Sequence, residues 1–355
     1  MDRSPHARNR RRSEIAVDRF LALPLAGRML AFEQAGAAQG LSASSVEKDF
    51  WVCLMLRELL DLPELEAHLI FKGGTSLSKA WGLIDRFSED IDLIIDRNIL
   101  GFEGERGPEH AVSGKEQKRR LLAIKAACQD LIVNQIAPSL TARIAAILQD
   151  KRWNLTLDLD DPDGQTLLFT YPRPPGPGAA YVRPIVKLEF GARGDPWPAE
   201  LRTVRPLLAD SFPDLFDAPT VQVRALRPER TFWEKVLLLH EERGRPGHRP
   251  IRHAMSRHYY DVWRLIEGGI AAAAVQDAVL FEQIVNHRKV YFGQRWVDYD
   301  QLTRGSIQMM PAPDHLDEWR RDYAAMQREM FTTPPPPFEE ILSVIERFQE
   351  GLKSA

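Results

Sequence analysis

Cysteine is scarce in this chain. Only Cys53 and Cys128 occur in 355 residues, in separate apolar segments. That pattern fits neither a disulfide framework nor a zinc site, and both read as core thiols of a reducing cytosol. No apolar run reaches the roughly 18 residues that a membrane span requires. The basic start, Asp2 to Arg12, has no apolar stretch behind it. It does not read as a signal peptide and is expected to be disordered. Neither sign of charge dominates, because 47 Lys and Arg stand against 50 Asp and Glu, a net charge of −3. No global positive field announces nucleic acid, so any such contact must come from local patches. Repeats and long low-complexity tracts are absent as well. What remains is a cytoplasmic globular chain whose 44% apolar residues are ample for a core and whose length suggests two domains.

The pattern along the chain predicts an α+β fold, a mixed sheet flanked by helices with a helical C-terminal region. Residues 1–40 form an extension, first disordered and then helical. Residues 41–226 form the α/β unit and 227–355 a helical unit. Ser42 to Ser45 opens a buried helix, with Glu47 as a capping partner. Leu69 to Phe71 is a short strand and Thr75 to Leu83 a helix. Asp90 to Ile95 is the second strand, and Lys115 to Gln149 has helical periodicity. Trp153 to Leu159, Leu167 to Tyr171, Tyr181 to Phe190 and Thr220 to Leu226 read as further strands. After Pro228 the chain turns helical, with a break at Pro334 to Pro337 before a last helix, Phe338 to Leu352. The tryptophans, among them Trp81, Trp153, Trp233 and Trp263, read as core residues.

The chemistry concentrates in Phe71-Lys72-Gly73-Gly74-Thr75-Ser76-Leu77-Ser78 and Arg86-Phe87-Ser88-Glu89-Asp90-Ile91-Asp92-Leu93. Two glycines after a strand let the backbone approach a ligand, and the next helix offers free N–H groups to an anion. Thr75 and Ser76 add hydroxyls, although a tight strand-to-helix connection accounts for the same letters. Lys72 by itself reads as a solvated residue at a strand end. A strand points residues i and i+2 the same way, so Asp90 and Asp92 share a face. Two neighbouring carboxylates invite a hard divalent cation, and phosphoryl transfer is the chemistry that most often uses one.

The order strand, Gly-Gly-Thr-Ser, helix, strand with Asp-x-Asp is that of the polymerase-β-type nucleotidyltransferase superfamily. Lys72 to Leu93 resembles the AbiEii/AbiGii toxin family, a bacterial branch of it. Three further segments match that family in the right order: Glu47-Lys48-Asp49-Phe50-Trp51-Val52, Pro228-Glu229-Arg230-Thr231-Phe232-Trp233-Glu234-Lys235, and Arg257-His258-Tyr259-Tyr260-Asp261. The segment His287-Arg288-Lys289-Val290-Tyr291-Phe292 fits its C-terminal region. The resemblance implies that Lys235 and Asp261 complete the site. Read without it, Lys235 is equally a surface lysine paired along its helix, and Asp261 a helix salt-bridge partner. Polymerase-type enzymes often carry a third carboxylate on a neighbouring strand, a place that Glu189 can take. Glu189 and Lys187 also read as a same-face ion pair.

The expectation is therefore a Mg2+- or Mn2+-dependent nucleotidyltransferase toxin of a type IV toxin–antitoxin or abortive-infection pair. Asp90, Asp92 and Glu189 would hold the metals. Gly73, Gly74, Thr75, Ser76 and Lys235 would seat the phosphates of a nucleoside triphosphate. The acceptor implied by the resemblance is the 3′ end of tRNA, and the antitoxin would be a separate protein. The loop from Arg243 through Arg245 and Arg249 to His253 is a basic segment that either grips RNA or is merely solvated, and the helix with Lys115, Lys118, Arg119, Arg120 and Lys125 extends the same possibility. A non-catalytic binder of nucleotide or RNA, and nucleotide transfer onto protein or a small molecule, are the alternatives.

Overall fold

A computed structural model describes residues 19–63, 65–88, 90–148, 150, 152–173, 184–216, 220–247, 249–331 and 334–354. The expected disordered start, and part of the segment expected to enter the third strand of the β-rich region, lie outside them. Residues 19–22 are helical, and the helices α1 (Leu25–Gln39) and α2 (Ala43–Leu60) follow. Gly40 ends α1 in a left-handed conformation, the geometry that glycine supplies without strain. The Ser42 hydroxyl caps α2 by accepting from Ser45 N at 3.0 Å. Glu47 does not complete a capping box as the sequence suggested. It is buried and faces Arg173 at 3.2 Å.

Strand β1 (Leu69–Lys72) then turns through helix α3 (Gly73–Lys79) to β2 (Ile91–Ile95). The long helix expected next is two helices, α4 (Gly114–Leu131) and α5 (Ala137–Ile147), joined by a π-helical turn over Ile132–Ile136. The turn falls just before Pro138, which lacks the N–H that a regular α-helical bond needs there. Strands β3 (Asn154–Leu157), β4 (Thr166–Thr170), β5 (Ile185–Gly191) and β6 (Ala199–Val204), the short helix α6 (Leu208–Ser211) and β7 (Val221–Leu226) complete the sheet. Its order is β3-β4-β5-β2-β1-β7-β6. β2 pairs antiparallel with β1 and parallel with β5. β6 escapes a reading of alternation because it is an edge strand: Leu201 is 69% exposed, and one neighbour suffices to hold it.

The two faces of the sheet differ. Leu69, Phe71, Ile91, Leu93, Leu188 and Phe190 belong to the principal core with α1, α2, α4 and α5, which also buries the unpaired Cys53 and Cys128. Burial pushes both thiols up to about 12, as befits packed rather than reactive cysteines. The opposite face carries a small cluster of Ile70, Ile94 and Leu226 and, beside it, polar residues.

After β7, helices α7 (Pro228–Arg243), α8 (Arg257–Glu267), α9 (Ile270–Gln276), α10 (Ala278–Tyr291), α11 (Leu316–Met330) and α12 (Phe338–Lys353) enclose a second core around Phe232, Trp233 and Tyr259. Leu77 from α3 and Ile84 from the following loop insert into this second core, while Ala80 belongs to the first. The segment after the diglycine is thereby fixed between both cores. Trp233 is fully buried, whereas Trp81, Trp153 and Trp263 are only partly covered. No helix among the described residues is long and apolar enough to cross a membrane.

Candidate active site

Register builds the centre of the site. Lys72 of β1 stands opposite Asp92 of β2, Asp92 opposite Glu189 of β5, and Glu189 opposite Thr166 of β4. Directly paired residues share a face, so Lys72, Asp92, Glu189 and Thr166 form one row across four strands, on the face away from the principal core. Asp90 lies immediately before β2, and its charge acts on Lys187. Burial, and after it the negative charge of Asp92, raise the Glu189 carboxyl above the ordinary range, with Lys187 and Lys72 offsetting part of the effect. Lys187 reaches Glu189 at 3.4 Å and Asp158 at 3.5 Å. The ion pair read from the sequence therefore exists, and it coexists with the facing of Glu189 and Asp92.

The diglycine turn closes on this row. Gly73 has φ +78° and a Cβ there would overlap the Asp92 carboxylate. Only glycine combines that backbone conformation with so close an approach. Thr75 Oγ1 donates to Ser88 Oγ at 2.9 Å. The Ser76 hydroxyl is buried and has no hydrogen-bond partner among the described residues. Asp49 of α2 meets Lys79 at the end of α3 at 2.5 Å and accepts from Leu207 N at 2.6 Å. An ion pair thus joins the segment Glu47 to Val52 to the turn segment.

Lys235 and Asp261 come together in the second core. Asp261 is wholly buried and accepts from Arg86 Nε at 2.7 Å and Nη2 at 2.8 Å. Lys235 Nζ lies 2.9 Å from Asp261 Oδ2 and 3.4 Å from His258 Nδ1. Burial alone would raise the Asp261 carboxyl, but Arg86 and Lys235 hold it far below the carboxylate range. Burial lowers Lys235 and Arg86 adds to the depression, against the pull of Asp261. His258 is held well below its usual value by burial and then by Lys235 and Arg257. An ammonium only donates, so a charged Lys235 makes Nδ1 the acceptor in this contact.

A cleft of about 220 Å³ opens over the polar row, lined by Lys72, Asp92, Glu189, Thr166, Arg193 and Phe292 among others. Arg193 lies 5.2 Å from the centre of the Phe292 ring and pairs with Asp163 at 3.0 Å. A second cavity of about 390 Å³ is lined by the loop carrying Arg86 and Ser88 together with Asp49, Lys79 and Asp210. Neither cavity is lined by Lys235 or Asp261.

The basic segments are more neutralised than the sequence suggested. Arg245 and Arg252 both pair with Glu242, at 3.3 and 2.5 Å, and Arg249 lies 5.9 Å over the Trp296 ring. Arg243 is partly buried, close enough to Tyr259 to act on its hydroxyl. In α4, Arg119 and Arg120 converge on Glu116 and Lys125 pairs with Asp163 at 2.7 Å. Sequence reasoning missed Lys72, Arg86, Ser88, Arg193 and Phe292 as site residues. The first three lie within segments it singled out, and Phe292 ends the fifth. Arg193 left no local signal.

A family model described as the nucleotidyl transferase AbiEii toxin of a type IV toxin–antitoxin system matches residues 54–349. That span holds the polar row, the turn, Arg86, Lys235 and Asp261. Among solved structures, MenT4, a nucleotidyltransferase toxin from Mycobacterium tuberculosis H37Rv, is 17% identical, with 94% of this chain and 98% of that one covered and a TM-score of 0.43. JHP933 from Helicobacter pylori is 14% identical, with 88% and 94% covered and a TM-score of 0.41. A comparison with curated proteins finds no match.

Proposed function

We propose, from the premise that this chain belongs to the AbiEii family of type IV toxin–antitoxin nucleotidyltransferases, that it moves a nucleoside monophosphate from a nucleoside triphosphate to the 3′ end of an RNA, with tRNA as the acceptor. The observation that carries the reading is the row Lys72–Asp92–Glu189 against the side-chain-free edge of Gly73. In the transfer, an acceptor hydroxyl gives its proton to solvent as its oxygen bonds to the α-phosphorus, the bond from that phosphorus to the bridging oxygen breaks, and pyrophosphate leaves with that oxygen. Catalysis of this kind is largely positioning and neutralisation of charge.

The residues of the row fit a Mg2+ or Mn2+ ion. Asp92 and Glu189 face one another; burial, and after it the charge of Asp92, raise the Glu189 carboxyl, and a bound cation would relieve both. Among the described residues no three His, Cys, Asp or Glu side chains converge on one point. Asp92 and Glu189 are the pair that would hold the metal, with Asp90 adding negative charge at the strand entrance, an oxygen donor set that suits Mg2+. Bound metal supplies a lowered pKa at the acceptor hydroxyl and a counter-charge for the departing pyrophosphate.

The chain's own groups do the rest. The backbone of Gly73 to Ser76 seats the phosphates, and Lys72 balances the carboxylates from within the row. Phe292 and Arg193 line the same cleft, with the guanidinium over the ring, and together would offer an acceptor end a cation and an aromatic group, the residue types that hold single-stranded ends. An antitoxin partner follows from the family. Incubation with labelled nucleoside triphosphates, Mg2+ and cell extract, followed by nuclease or protease digestion, tests the reading. Label should enter nuclease-sensitive material and vanish with Asp92→Asn. Label in protease-sensitive material would move the acceptor to protein, and no incorporation anywhere would end the enzymatic reading of this site.

A further inference from the structure

Lys235 and Asp261 stand apart from the nucleotide cleft, yet a continuous line of contacts leads from them to it. Arg86 is the link. Its side chain is 3% exposed, and Asp261 grips it through Nε and Nη2. The same Nη2 occupies the space that a side chain on Gly74 would fill, with Ser88 Oγ 2.8 Å from that point. Ser88 in turn accepts from Thr75. The loop bearing Arg86 and Ser88 is tied to the helical half elsewhere too. Arg264 of α8 donates to Leu83 O at 3.3 Å and pairs with Asp85 at 2.9 Å, and Phe87 N donates to Met330 O at 2.7 Å. The charge of Asp92 reaches Arg86 as well.

We propose that Arg86 is the positioning residue through which the helical half sets the nucleotide seat, so that Asp261 and Lys235 act on transfer by holding the Arg86 guanidinium against Gly74. This rests on the assignment of Gly73 to Ser76 as the phosphate seat. A bidentate guanidinium has a fixed plane and a fixed reach, and an ammonium cannot replace both of its bonds. Arg86→Lys keeps the buried charge beside Asp261 but withdraws the second nitrogen from Gly74. Displacing a seat by an ångström costs on the order of a hundredfold in rate.

The test is a cycle of Arg86→Lys, Gly74→Ala and the double variant in the full-length protein. Steady-state transfer gives kcat and the KM for the nucleotide. Equilibrium dialysis of labelled ATP, CTP, GTP and UTP with Mn2+ gives affinity without turnover, and thermal melting gives stability. Arg86→Lys should melt within a few degrees of the native chain while weakening nucleotide affinity and raising KM by about tenfold, the scale of a lost charge-assisted contact. Gly74→Ala should be damaging alone and add less than about twofold on top of Arg86→Lys, since the two share one space. Independent, multiplying effects would overturn the proposal, as would an unchanged KM and affinity in Arg86→Lys. Dialysis reads the cycle whether or not an acceptor is found, so failure of transfer and failure of this link are separate results. If Arg86→Lys does not fold, Gly74→Ala crossed with Ser88→Ala reads the same contact: relief of the Gly74→Ala damage supports the arrangement, and no relief overturns it.

Discussion

Asp261→Asn is the substitution whose cost the structure fixes most directly. The carboxylate is wholly buried and holds two cations, Arg86 at 2.7 and 2.8 Å and Lys235 at 2.9 Å. Asparagine keeps one acceptor and the volume but leaves both cations without a counter-charge. Removing one partner of a buried pair costs about 3–5 kcal/mol. Lys235 returns part of this, because burial has already lowered its pKa and it can shed its proton. A net loss of about 3 kcal/mol follows, the low end of that range. Urea unfolding followed by tryptophan fluorescence measures it. The folded pKa of Asp261 is depressed. Its stabilisation is therefore complete above the unfolded value of about 3.9 and disappears as pH falls through the folded value. The gap between native chain and variant should be widest near neutrality and close in acid. Equal stability at pH 7, or a gap that persists undiminished in acid, would refute the reasoning. Asp92→Asn should behave oppositely, with transfer abolished and stability unchanged or improved, because it relieves the repulsion felt by Glu189.

Gly73→Ala meets both the left-handed backbone and the Asp92 carboxylate; the backbone term alone is worth about 1–2 kcal/mol, and Mn2+ titration should show weakened binding beyond the loss in stability. Glu189 must be ionised to hold a cation, and its carboxyl is raised by burial and by Asp92. Mn2+ affinity should therefore climb with pH above the ordinary glutamate range, and Glu189→Gln should weaken it and flatten that climb. For RNA, Arg193→Ala and Phe292→Ala should lower affinity for a single-stranded 3′ end, with Arg193→Ala reducing the salt slope by less than the roughly 0.7 of one full phosphate contact, since Arg193 is also paired with Asp163. Neutralising Arg243, Arg245 and Arg249 together should reduce that slope by less than three such contacts, since Arg245 and Arg249 are engaged within the protein. A reduction by three full contacts in filter-binding assays across a salt series would return the loop to the RNA surface.

Much of this site was legible as a string. The diglycine after an apolar run, the two aspartates one residue apart and the separated family segments name the chemistry, because a turn and a strand alternation are local periods that adjacent residues write out. Asp92 and Gly73 needed only the single connection, residues 73–90, between two strands that pair with each other. What folding alone decided lies at long range. Parallel pairing of β2 with β5 put Glu189 opposite Asp92, and the same register turned Lys72 from a solvated strand end into a member of the row. Burial in the second core made Asp261 the anchor of Arg86 rather than a group facing the cleft. Register and burial depend on which distant surfaces pack together, and neither leaves a local period for a sequence to display.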